Sequence, residues 1–118
     1  MPRDNVTRDT QYLLDILESG KVAVGYVSSK SWSDFQRDTQ CQDAIIRRLE
    51  IIGEAANRVS SDKQSELSEL PWRAMIGMRN LMIHRYDAID FKIVWDTVQR
   101  DLPTIIAQIE GIVFVRGE

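Results

Sequence analysis

The chain has 118 residues, 43% of them hydrophobic, and a formal net charge of −3. That length suits a single domain, 1–118, with a core of its own. The acidic balance argues against a field that would draw nucleic acid to the whole surface. Without an apolar run near ~18 residues, no membrane-spanning helix is expected.

The opening stretch M-P-R-D-N-V-T-R-D is charged and lacks an apolar segment, so it does not read as a secretory signal. A single cysteine, Cys41, excludes an internal disulfide framework and fits a reducing, cytoplasmic setting. One histidine and one cysteine are too few for a protein-built zinc site in the monomer, so no metal and no cofactor is expected. Of the 15 basic residues, eleven are arginine, the side chain suited to bidentate phosphate contact. Surface ion pairs explain that excess as readily.

No segment alternates cleanly over strand length, and amphipathic helices fill the chain instead. The first is predicted from about Thr7 to Tyr26, with Leu13, Ile16 and Leu17 on one face, followed by Gly20 and Val24. The linker S-S-K-S-W-S-D-F follows, in which Ser31 or Ser33 can cap a short turn. A second helix, about Asp38 to Ser60, carries Ile45, Leu49, Ile52, Ala56 and Val59 as its core stripe. Within it, Gly53 and the pair Ala55–Ala56 suggest close packing. The stretch S-S-D-K-Q-S-E-L-S-E-L reads as a polar loop, and Pro71 stands where a first helical turn tolerates it.

The third helix is predicted over Pro71–Tyr86, P-W-R-A-M-I-G-M-R-N-L-M-I-H-R-Y. It holds the chain's only histidine, three arginines and no acidic side chain. On a helical wheel Arg73, Gly77, Asn80 and His84 form a polar stripe, while Met75, Ile76, Arg79, Met82 and Ile83 lie on an apolar side. Gly77 reads as a site of close helix approach. Arg79 and His84 are separated by roughly 140° on an ideal helix. Aiming both at one phosphate requires a distortion of the helix or two copies of it. After Y-D-A-I-D, with Asp90 as N-cap, a last helix runs from about Phe91 to Val113, and Pro103 should kink or split it near Gln99–Asp101. The fold class is therefore all-α, an antiparallel four-helix bundle with a kinked C-terminal helix.

The chemistry lies in R79-N80-L81-M82-I83-H84-R85-Y86. A guanidinium can grip a phosphodiester through two oxygens and stabilise charge on phosphorus. A histidine can exchange a proton near neutral pH. RNA cleavage without a metal needs a base for the 2′-OH and an acid for the leaving 5′-oxygen. One chain supplies one histidine; a symmetric dimer supplies two. The apolar breadth of this helix likewise points to a second contact surface and a homodimer.

The R-x4-H-x-Y run, together with L-E-I-I-G-E-A-A-N-R, L-P-W-R-A-M-I-G-M-R-N and H-R-Y-D-A-I-D, resembles the HepT-type toxins of the HEPN superfamily. The resemblance covers nearly the whole chain and implies an RNase toxin, active as a homodimer with its site in the cleft between protomers. It implies RNA as substrate, Arg79 and His84 as the catalytic pair, and Asn80 as the polar residue beside them. It further implies a minimal nucleotidyltransferase antitoxin that transfers AMP to Tyr86. Arg73 and Arg85 are weaker candidates for RNA-phosphate contact. Each residue also has a structural alternative. His84 can cap a helix end, Arg79 can pair with Glu54 or serve a dimer contact, and Tyr86 can pack its ring. A non-catalytic helical partner of a nucleotidyltransferase is the competing function.

Overall fold

The computed structural model describes residues 2–80 and 89–115. Helix α1 spans Pro2–Val27, longer at its start than its apolar stripe suggests, and Pro2 occupies the opening position where a missing N–H costs nothing. Helix α2 is one short turn, Trp32–Gln36. Ser31 caps it reciprocally: its hydroxyl accepts the Asp34 N–H at 3.1 Å, and the Asp34 carboxylate accepts the Ser31 N–H at 3.0 Å. The turn seats Phe35, fully buried, against Phe91 and Trp95 at centroid separations of 6.3 and 5.2 Å.

Helix α3 spans Thr39–Arg58. Asp38 caps it, one carboxylate oxygen accepting the Cys41 N–H at 3.0 Å and the other Lys30 Nζ at 3.2 Å. Those two contacts, the backbone bond first, hold the Asp38 carboxyl below its ordinary pKa, and the same contact raises that of Lys30. The predicted core stripe is correct throughout: Ile45, Leu49, Ile52, Ala56 and Val59 are all buried.

The stretch predicted as a polar loop winds instead into helix α4, Ser61–Glu66, with Ser60 as N-cap. Leu67 and Leu70 then turn inward and are buried, and Leu67 O accepts the Trp72 indole N–H at 2.9 Å. The buried Asp9 carboxylate fastens this corner to α1, accepting Ser60 N–H at 2.8 Å and Ser60 O–H at 2.6 Å. Helix α5 is Trp72–Gly77.

Helix α6, Phe91–Asp96, is capped by Asp90 as expected, its carboxylate accepting the Lys92 and Ile93 N–H groups. It runs into a π-helical turn, Thr97–Asp101, and then helix α7, Leu102–Val115. Pro103 accounts for the irregularity. It has no N–H for the carbonyl of Gln99 and its ring crowds that carbonyl, so the ladder widens and Leu102 N–H donates to Thr97 O.

The described residues thus form an all-helical bundle without a strand, the fold class expected from the sequence. α1 lies chiefly on α3 and then on α7, and one core joins all the long elements. Gly20 allows the α1–α7 approach, since a Cβ there would stand 3.2 Å from Ile106 Cγ1. Among the described residues no helix is long and apolar enough to cross a membrane.

Candidate active site around Arg79

The uninterrupted helix predicted over Pro71–Tyr86 is not what the structure shows. α5 ends at Gly77, Met78 and Arg79 form a turn, and Asn80 resumes helical geometry. The apolar pattern continues through this turn because Met75 and Met78 both face the core and are buried. The orientation of Arg79 relative to His84 lies outside the described residues, which stop at Asn80. The segment distorts just before Asn80.

Arg79 is placed by α3. A Cβ on Gly53 would stand 2.5 Å from the Arg79 amide nitrogen, 2.8 Å from Arg79 Cβ and 3.1 Å from its Cα. Only glycine lets the two backbones meet so closely. Among the described residues nothing makes the close approach read at Gly77: a Cβ there meets no described atom within 4 Å.

From this seat the guanidinium reaches back over α3. Arg79 Nη1 lies 3.6 Å from Glu54 Oε1, with 30% of the arginine and 44% of the glutamate side chain exposed. Arg79 Nε is buried and meets no hydrogen-bond partner among the described residues. The ion pair with Glu54, an alternative reading of this arginine, is thus present. Because a third of the side chain stays open, pairing and phosphate contact are compatible.

Asn80 and Arg73 are exposed. Trp72 is partly buried and packs on the core, as does Trp95. Met75, Met78 and the partly buried Ile76 are used inside the protomer. Leu81, Met82 and Ile83, the rest of the apolar set from which a second contact surface was expected, lie outside the described residues. So do His84, Arg85 and Tyr86.

Beside the Glu54–Arg79 pair, a cleft of about 170 Å³ opens between α1 and α3, walled by Tyr12, Asp15, Arg47, Glu54 and Arg58 among others. Arg47, Ile51, Glu54 and Arg58 recur at helical spacing on the face of α3 away from the core stripe. That was the available signal, and it is masked in a reading that tracks apolar positions alone. Arg47 is paired with Glu50. Cys41 is buried, and burial raises its thiol pKa, leaving it in the weakly nucleophilic protonated form.

Comparison with known proteins gives a consistent result. The family described as "Ribonuclease HepT-like" matches residues 16–112. Two Methanocaldococcus jannaschii proteins, each named "Putative RNase", are similar: one is 35% identical over 84% of this chain and 91% of its own length. The other is 34% identical over 96% of this chain and 91% of its own length. "Probable ribonuclease HepT" of Thermococcus cleftensis is 37% identical over 86% of this chain and 92% of its own length. No solved structure is significantly similar.

Proposed function

The chain belongs to the HepT-like ribonuclease family, and from that membership we propose that it is an RNase toxin working through Arg79 and His84. In this reading the Arg79 guanidinium grips the scissile phosphate and offsets charge as the phosphorus becomes five-coordinate. A neutral His84 takes the 2′-OH proton, the 2′-oxygen attacks phosphorus, and the P–O5′ bond breaks. A protonated imidazole returns a proton to the leaving 5′-oxygen, giving a 2′,3′-cyclic phosphate and a 5′-hydroxyl. Two imidazoles are needed in opposite protonation states, so a homodimer with a shared site completes the proposal. Asn80 orients the phosphate beside Arg79, while Arg73 and Arg85 hold flanking phosphates.

The observation that carries the reading is the seat of Arg79: a backbone pressed onto α3 at Gly53, and a guanidinium paired on one side with Glu54 and still partly open. A surface arginine kept for solubility needs no such fixed backbone position. The regulatory half of the proposal is that a minimal nucleotidyltransferase antitoxin transfers AMP to Tyr86. The added phosphodiester would compete with RNA for the arginines.

Expression without the partner tests the toxin activity: wild type should arrest growth and degrade RNA, and His84→Ala should do neither. Wild-type cells that grow normally with intact RNA would count against it. Light scattering should return a mass near twice 13.6 kDa. Incubation with the nucleotidyltransferase, ATP and Mg²⁺ should add one AMP to wild type and none to Tyr86→Phe. Equal uptake by both would remove Tyr86 from the scheme.

A further inference from the structure

Among the described residues, Glu54 is the acidic group that pairs with Arg79, and nothing in the chemistry above uses it. We infer that Glu54 is a positioning residue, holding the Arg79 guanidinium in the orientation that meets the phosphate. The inference rests on the reading of Arg79 as the phosphate-binding group.

An arginine side chain is long and freely rotating. Its rotatable bonds give it many orientations in water, and each must be lost before a two-point grip on a phosphate forms. Here three features restrict that freedom in advance. The backbone is fixed, because Gly53 receives the Arg79 amide and Cβ at distances that exclude any larger residue. The inner guanidinium nitrogen, Nε, is sealed from solvent. The outer nitrogen Nη1 is drawn to Glu54 Oε1 at 3.6 Å. With Nε sealed, the 30% of the side chain that remains exposed lies on its other atoms. An incoming phosphate therefore finds the fork already aimed.

Sequence placement supports the same assignment. Gly53 and Glu54 are consecutive on α3, so one turn of one helix supplies both the backbone contact and the carboxylate. Register between helix and turn is then coupled to charge pairing. Glu54 touches neither the 2′-oxygen nor the leaving group in this scheme, and its effect passes wholly through Arg79. The separation of 3.6 Å exceeds hydrogen-bond length, and both groups are partly exposed. Such a pair contributes little to stability, which leaves orientation as its main role.

The test uses purified full-length protein and a single-stranded RNA, with rates measured under single-turnover conditions so that slow cleavage stays readable. Glu54→Gln keeps the side chain's size and removes the charge. It should lower the maximal single-turnover rate about tenfold and change the half-saturating enzyme concentration less than threefold, with an unchanged melting temperature. In an Arg79→Ala background the same substitution should have no further effect, which a general structural role would not predict. Wild-type rates in Glu54→Gln, or an equal loss in both backgrounds, would overturn the inference while leaving Arg79 in place. Undiminished cleavage by Arg79→Ala alone would overturn the reading beneath it.

Discussion

Replacing Gly53 by alanine tests the contact on which the site is built. The new methyl would stand 2.5 Å from the Arg79 amide nitrogen, where real Cβ atoms do not come below 3.0 Å. The obstructing atoms are backbone and Cβ, not a flexible chain end, so neither can swing aside. Reaching the ordinary contact distance of 3.4 Å requires α3 and the turn to part by close to 0.9 Å, the difference from 2.5 Å. Overpacking of this kind costs ~1–3 kcal/mol, and alanine in a helix interior recovers about 1 kcal/mol relative to glycine. The net loss is about 0–2 kcal/mol, a melting temperature lower by up to ~10 °C. Activity should fall further, by ~10²-fold, because a misplacement near 1 Å at a catalytic group costs about that much. Thermal melting and initial cleavage rates on one preparation give both numbers. Gly111→Ala is the control: its Cβ meets no described atom within 4 Å, so it should gain ~0.5–1 kcal/mol. A Gly53→Ala protein that matches that gain and cleaves at the wild-type rate would refute the reasoning.

Three further outcomes follow from the packing. Asp9→Ala should cost ~1–3 kcal/mol in chemical denaturation, since it strips the Ser60 N–H and O–H of their acceptor at a buried corner. The capping carboxyls of Asp34 and Asp38 both titrate below 3.8, in each case chiefly through a backbone N–H, from Ser31 and Cys41 respectively. Their stabilising effect is therefore present above pH 3.8 and lost as pH falls through the lower folded values; acid melting curves of Asp34→Asn/Asp38→Asn should show a flatter slope there. Cys41 should react with iodoacetamide at neutral pH more slowly than a free thiol and reach the free rate only in denaturant, because burial holds its pKa up.

The long helices were legible because each buries one periodic face. The stripe along α3 and the Leu13, Ile16 and Leu17 face of α1 match the buried residues, while Val24 is only partly buried. Caps carrying their own side-chain acceptor were legible as well: Asp90 from its place before Phe91, and Ser31 as one of two candidates. Pro103 announced a break, although not that it would take the form of a π turn. Helix α4 was missed because a six-residue helix is too short to show a period, and its evidence is the cap at Ser60. The end of α5 was missed for the opposite reason: Met75 and Met78 keep the apolar pattern going across a backbone that has already turned. Of the contacts between distant segments, Asp9 with Ser60 leaves no local trace, while Gly53 signals close packing without identifying Arg79 as what it meets. At the site, the R-x4-H-x-Y run and the resemblance it carries pointed to Arg79, and Glu54 was visible as a possible partner. The side of α3 on which they meet came from tertiary packing alone.

The most direct test of the account is the rate at which purified protein cleaves single-stranded RNA, compared between wild type, His84→Ala and Arg79→Lys in the presence of EDTA. The account predicts cleavage by wild type, a loss of roughly 10²–10⁴-fold in His84→Ala, and a comparable loss in Arg79→Lys because an ammonium cannot reproduce the guanidinium fork. Undiminished cleavage by His84→Ala, or wild-type cleavage that EDTA abolishes, would contradict it.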